Sequence, residues 1–381
     1  MSSTAISLPS TARRVLGGTL AVLAVLALLA LAFAADSMLN VMMASAAETS
    51  SGGERYTIAG PSVAVYNLAG KVSVVPATGN AVEVAVLRGG DDASALKIVQ
   101  KDDGGRKFLS VVYPSDRVIY PDLGSGSRSE MRVDADGRFG GTKEWDSFSR
   151  HKVTIAGKGS GLEAHADLKI TVPAGQKIAV YLGVGRADVA NVSGEIVVDV
   201  SSADIGATGT RGKLVLDTGS GNIQAHDVQG ELDFDTGSGD VSVTRTKAGR
   251  LHVDTGSGSI TGSDLTAESI SFDTGSGDIE VSGVRSGEVA LDTGSGSVRI
   301  GLLTDIESLD IDTGSGDVVV RIPSSLGADV SIETGSGDID SDVPLQLVHR
   351  GDGEMRGKIG DGRGRMTLET GSGSIRLALN Q

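Results

Sequence analysis

The sequence has no cysteine in its 381 residues. That excludes disulfides, thiolate metal sites and cysteine nucleophiles together. Aromatic residues supply only 3% of the chain, so an apolar core has to be built from Val, Ile and Leu. Positive charge is also scarce: 34 Lys and Arg stand against 49 Asp and Glu, for a formal net charge of −15. An acidic surface repels phosphate backbones, which makes nucleic acid a poor partner. Glycine, by contrast, is abundant at 55 residues, about twice the ordinary usage of roughly 7%. It does not recur at every third position, so collagen is excluded. Glycine mixed with β-branched residues points to many strands joined by tight turns.

The N-terminus has its own pattern. Residues 1–14 are polar and end in Arg13-Arg14; an uncharged apolar run of 21 residues follows, from Val15 to Ala35. Roughly 20 such residues span a bilayer as a helix, whereas a signal-peptide core is about 7–15. The length favours a retained anchor. The small-residue exits Ala32-Phe33-Ala34 and Ala44-Ser45-Ala46 favour cleavage. Both early arginines precede the run and the next basic residue is Arg55, so the remainder is expected outside the cytoplasm. Residues 36–55, rich in Ala, Ser and Gly, read as a flexible linker.

One phrase dominates the rest. Asp/Glu-Thr-Gly-Ser-Gly begins at Asp217, Asp235, Asp254, Asp273, Asp292, Asp312, Glu333 and Glu369, at spacings of 18, 19, 19, 19, 20, 21 and 36. Weaker copies stand one period earlier at 199–205 and 181–189, with a fainter echo, YNLAGKVSV, at 66–74. Self-similarity at about 20 residues marks a solenoid. Within a unit, Leu232, Phe234 and Thr236 alternate with Asp233 and Asp235; after Gly237-Ser238-Gly239, Val241 and Val243 alternate with polar residues. Period two with one apolar side is a half-buried strand. Gly-Ser-Gly is expected to turn the corner with φ > 0, and a second corner follows each return strand, as in HDVQG (226–230) and SGVRSG (282–287). Stacked in parallel, one coil on the next, about ten coils of 18–20 residues from residue 177 onward make a rod ~48 Å long. The fold class expected is therefore all-β, a parallel β-solenoid behind an N-terminal membrane helix, with almost no helix elsewhere. The double spacing before Glu369 leaves room for a degenerate turn or a small excursion through residues 350–366.

Asp-Thr-Gly-Ser after an apolar residue is also the local signature of an aspartic protease. Such an enzyme brings two carboxylates together to share a proton. That takes two copies facing each other, not eight in series. In a solenoid the acids line up on the outside, repelling by roughly 0.9 kcal/mol per neighbouring pair in bulk water. Calcium could offset this, but the second acidic position is irregular: Asn222, Asp240, Ser259, Asp278, Ser297, Asp317, Asp338 and Ser374. A required ligand should not become Ser three times in eight, so a solvated ridge is expected. His151, His165, His226, His252 and His349 show no metal-ligand spacing. The glycine-rich turns lack the Lys of a phosphate loop. Arg350-Gly351-Asp352 spells an adhesion tripeptide that chance explains in a chain of this composition, and no Ser-His-Asp set can be argued for.

Residues 56–165 read as an irregular β beginning of the same sheet system. An excursion at 114–152, holding the single Trp145, is either mobile or a flap over the first coil. Residues 166–381 form the regular array. Four features resemble the bacterial putative-adhesin domain family, a group of exported β-solenoid proteins of unassigned activity. They are DLKITVPAG (167–175), the repeated DTGSGD units, the approach GKIGDGRGRMTLETGSGSIRLAL (357–379) and the N-terminal apolar segment. The resemblance spans roughly residues 60–381 and implies an envelope location and a non-enzymatic role, with no catalytic residue to transfer. The expectation is a non-catalytic envelope protein, without catalytic, cofactor or metal residues, that contacts an envelope protein, a glycan or itself. A periplasmic carbohydrate-active enzyme and a self-assembling scaffold remain as alternatives. Against the enzyme, the only aromatics of the array are Tyr181, Phe234 and Phe272, and both Phe lie on the inward register.

Overall fold

The alternation seen in the sequence becomes a ladder in the computed structural model, which describes residues 53–140 and 150–380. Leu251, Ile270, Val289 and Leu309 lie side by side on successive strands, as do Val253, Phe272, Leu291 and Ile311. Past the corner, Val241, Ile260, Ile279, Val298 and Val318 form the facing column. All of these side chains are buried. A branched side chain buried this way contributes about 1.5–3 kcal/mol relative to exposure, but only when the coils on either side are in place. In the regular array, strands of one coil pair in parallel with those of the next, within a sheet of 23 strands whose ends are closed by antiparallel pairs. The solenoid fold is therefore parallel and all-β; among the described residues the only helical pieces are two short 3-10 turns, Ala93–Ala95 and Pro121–Leu123.

The stacking order differs from chain order at the C-terminal end. Gly364–Thr370 lies between Ser308–Thr313 and Ala328–Thr334, and Ile375–Leu379 lies between Val318–Ile322 and Ile339–Ser341. The last coil of the sequence is thus inserted beneath the one that precedes it. The expected one-on-the-next order fails here for a physical reason. Every coil offers the same joints above and below, so register does not depend on chain order. The outermost coil, meanwhile, needs a covered edge. Residues 346–359 supply that cover as a hairpin of Gln346–Gly351 and Glu354–Ile359, the second strand running antiparallel along Ala328–Thr334. The expected excursion is this hairpin.

The N-terminal end is built in the same way. Ser62–Pro76 is a full coil: Tyr66 pairs with Tyr181 and Val74 with Val189, so the faint echo at 66–74 is a true repeat. On its other side lie two later segments, Arg106–Val112 and His165–Val172. Antiparallel strands close this end too: Val82–Gly89 against His165–Val172, Glu54–Ile58 beyond it, and Lys97–Asp103 against Arg106–Val112. The sheet runs without interruption across residue 165. Four strands, Arg117–Ile119, Arg128–Val133, His151–Ala156 and Leu162–Glu163, form a separate sheet. Trp145, the apolar run 15–35 and most of the linker 36–55 lie outside the described residues. Among those described, no helix is long and apolar enough to cross a membrane.

Candidate functional site

The repeated corner holds its coils together through threonine rather than aspartate. All eight Thr of the phrase, from Thr218 to Thr370, are buried. The Thr293 hydroxyl donates to the Gly277 carbonyl of the neighbouring coil at 2.8 Å and accepts the N–H of its own Gly296 at 3.0 Å. Thr255, Thr274, Thr313 and Thr370 repeat both bonds. At the inserted coil the bonds follow spatial order: Thr370 donates to Gly316 and Thr334 to Gly373.

The glycines of this corner do not take φ > 0, contrary to the expectation from sequence. Their reason is proximity. A Cβ on Gly296 would stand 1.8 Å from the Gly277 carbonyl oxygen, and one on Gly294 2.4 Å from that of Gly275. The left-handed residues sit instead at the second corner, in one column: Asn191, Gly209, Asp227, Arg245, Asp264 and Gly283, with φ between 50° and 69°. After Gly, Asn and Asp tolerate this region best, which accounts for Asn191, Asp227 and Asp264.

The irregular second acidic position also has a structural use. The Asp204 carboxylate accepts the Asn222 N–H, the Asn222 side chain that of Asp240, and Asp240 that of Ser259. Asp278 accepts from Ser297 and Asp317 from Ser374. Ser374 accepts from the Asp338 N–H at 3.3 Å, so Asp, Asn and this Ser each supply an accepting oxygen.

The leading acids form a column on the outer face. Asp199, Asp217, Asp235, Asp254, Asp273, Asp292, Asp312, Glu369 and Glu333 lie side by side in that spatial order. From Asp217 onward no Lys or Arg among the described residues pairs with any of them. Partial burial, reinforced by neighbouring acids, raises the pKa of Asp217, Asp235, Asp273, Asp292 and Glu369 above the ordinary carboxylate range. No group of three or more His, Asp or Glu among the described residues is placed to hold a metal. The column has one acid per coil, so no two face each other as a proton-sharing dyad.

One constellation was missed in the sequence. His226 Nδ1 lies 2.5 Å from Thr244 Oγ1, and its Nε2 3.1 Å from Asp227 Oδ2. His226 and Asp227 are neighbours in the chain, but only the 18-residue register brings Thr244 to His226 and Arg245 to Asp227, so no local motif announces the arrangement. Asp227 is itself held by two 2.8 Å bonds from Arg245, and burial lowers the His226 pKa. His226 and Thr244 sit in the column Thr208, His226, Thr244, Ser263, with Asp227 in the next, and the contacts link neighbouring coils. The remaining histidines are dispersed; His349, Arg350 and Gly351 end the exposed outer strand of the C-terminal hairpin, with Asp352 in its turn.

Aromatic side chains gather at the opposite end. Tyr66 and Tyr181 stack at 4.5 Å, Phe108 and Phe139 meet Tyr66 edge-on, and the Arg138 guanidinium covers Phe108 at 4.6 Å. Burial pushes the Tyr66 phenol up to about 12. Tyr181 adjoins Asp199 in register, so this stack continues the acidic column as an apolar cap.

A family model described as Toastrack DUF4097 matches residues 167–378, more than half of the chain. The chain belongs to the Toastrack DUF4097 family. The resemblance drawn from DLKITVPAG and the repeated corners therefore holds, since those residues fall inside the Toastrack match. Every Thr and Gly joint described above, from Thr218 to Gly373, is part of the Toastrack array. No curated protein matches the chain. Among solved structures it is similar to a "putative adhesin" from Bacteroides fragilis, with 12% identity, 85% of this chain and 95% of the other covered, and a TM-score of 0.34. A "putative lipid binding protein" from Parabacteroides distasonis gives 12%, 85%, 97% and 0.37, and a "putative cell adhesion protein" from Clostridium sporogenes 10%, 86%, 100% and 0.21. At these TM-scores none of the three assigns a function to the Toastrack array.

Proposed function

We propose that the protein is a non-catalytic component of the cell envelope whose β-solenoid is a rigid support for an outward contact surface. One observation carries this reading. The inward and corner columns repeat from coil to coil, while the outward column beside the acids does not. That column runs Val215, Asp233, His252, Ser271, Ala290 and Asp310. A constant interior with a varied exterior suits a surface that makes contacts. Tyr181, Phe234 and Phe272 are all buried, so the array offers no aromatic platform for a sugar-cleaving groove, which weighs against the enzyme alternative.

In this reading the run 15–35 holds the protein at the membrane, or directs its export if cleaved, and the array lies outside the cytoplasm. Protease added to spheroplasts should digest the array and spare a cytoplasmic control. Full-length protein used as bait in an envelope extract should retain an envelope protein or glycan. Retention of neither would overturn the contact-surface reading. Self-association is favoured by a separate observation: Gln346–Gly351 is an edge strand exposed along its whole length, with Leu347 and Val348 bare. Such an edge invites a strand from a second copy. Light scattering should then show mass rising with concentration, and Val348→Lys should abolish the rise.

A further inference from the structure

Where Ile279–Thr293 meets Val298–Leu302 the register slips between Val281 and Val284. The backbone reverses through Gly283 at φ 69°, and a shallow cavity of about 230 Å³ opens on the outer face. Glu280, Ser282, Arg299, Leu303, Arg321 and Asn380 line it. Asn380 is fixed there, its amide donating to the Leu302 carbonyl at 2.7 Å and its N–H to that of Ile322 at 2.8 Å. The floor is Gly301. Unlike the corner glycines, it is not required by close packing: the nearest atom to a Cβ there would be Ser282 Cα at 3.9 Å. A side chain would fit the backbone and fill the cavity. Glycine leaves it open.

Two arginines from neighbouring coils line this cavity. Arg245 is paired with Asp227 and Arg376 with Asp342. Arg299 and Arg321 are exposed, and neither has an ion-pair or hydrogen-bond partner among the described residues. Two free guanidinium groups one coil apart, on a chain of net charge −15, form a local site for an oxyanion, which Arg binds through two parallel bonds. The volume is below the ~300–1,000 Å³ of pockets that enclose a whole drug-sized ligand, and the cavity is open at the surface. It suits one unit of a longer chain rather than an engulfed molecule.

We infer that this cavity binds an acidic glycan, one sugar carboxylate seated between Arg299 and Arg321 and its ring lying over Gly301 beside Leu303. The inference rests on the reading of the array as a contact surface and adds to it a location and a ligand class. Glu280 is the one anion in the cavity, so it opposes binding.

The test is calorimetric titration of the full-length protein with an oligogalacturonate, a neutral malto-oligosaccharide of equal length, and inorganic phosphate. The oligogalacturonate should bind, more weakly as salt is raised, and the neutral oligomer should not. R299Q/R321Q and Gly301→Val should each weaken binding at least tenfold with the melting temperature unchanged. Glu280→Gln should tighten it severalfold. Absence of oligogalacturonate binding, or equal binding by R299Q/R321Q, overturns the assignment. Phosphate competing as well as the oligomer overturns its sugar part. If R299Q/R321Q still binds the glycan, the site is elsewhere and the contact-surface reading stands; that reading fails only if the wild-type protein captures nothing from the envelope.

Discussion

At Asp292-Thr293-Gly294-Ser295-Gly296 the burial of neighbouring residues separates joint from ornament. Thr293 is buried with both its donor and acceptor in use, while Asp292 is exposed with like charges on either side. Thr293→Val keeps the shape and leaves the Gly277 carbonyl and Gly296 N–H without partners. It should cost about 1–3 kcal/mol in urea unfolding. Gly296→Ala places a methyl against a carbonyl at 1.8 Å and should cost about as much or more. Asp292→Asn removes repulsion at the surface and should change stability by well under ~0.5 kcal/mol, or raise it slightly. A loss of several kcal/mol in Asp292→Asn alone would mean that the carboxylate holds the corner. The sequence showed that these positions repeat, and Thr is present in all eight copies where the acid alternates between Asp and Glu. It did not show why glycine is needed. A close approach to the next coil and a positive φ select the same residue type, and only the backbone distinguishes them.

Coils were legible as elements because one apolar face per strand fixes the alternation, and because the 18–20-residue period survives every substitution on the outer face. Their order at the ends was not legible. The acid, Thr and Gly columns make every coil compatible with every other, so pattern alone does not say which coils touch. The hairpin at 346–359 shows what the ends require, an antiparallel strand along the last open edge. Truncation after Arg363 tests the consequence. The missing coil would leave an empty slot, so Ser308–Ile322 and Ala328–Ser341 should both lose amide-exchange protection, with Val241–Thr274 unaffected. In a stack that followed chain order, the coil at 308–322 would keep its protection. The aromatic cap and the cavity at Arg299 and Arg321 were equally hidden, since their members lie up to 115 residues apart or depend on a register slip.

For the molecule as a whole, the acidic column sets the response to pH and salt. The folded-state pKa values of Asp217, Asp235, Asp273, Asp292 and Glu369 are raised, so the native state holds their protons more tightly than the unfolded chain. Stability should therefore rise as pH falls from neutral through the upper carboxylate range, and gain nothing more from these groups below their unfolded values. Glu195 acts the other way: its hydrogen bond from Lys177 lowers its pKa, and that contribution is lost as pH falls through the lowered value. Melting temperature should pass through a maximum on the acid side of neutral. At neutral pH added salt should raise it by screening the column; a fall with salt would show that ion pairs dominate instead.

Because the chain has no cysteine, introduced pairs report on neighbours without interference. In-register parallel strands lie about 4.8 Å apart, within disulfide reach, whereas residues two coils apart exceed the ~7 Å limit. Asp312 adjoins Glu369, and Glu369 adjoins Glu333, while Asp312 and Glu333 are separated by the inserted coil. Cysteine pairs at 312/369 and 333/369 should therefore oxidise rapidly in the native protein, and the pair at 312/333 should not. Rapid bridging at 312/333 with none at 312/369 would contradict the in-register stack and its inserted last coil.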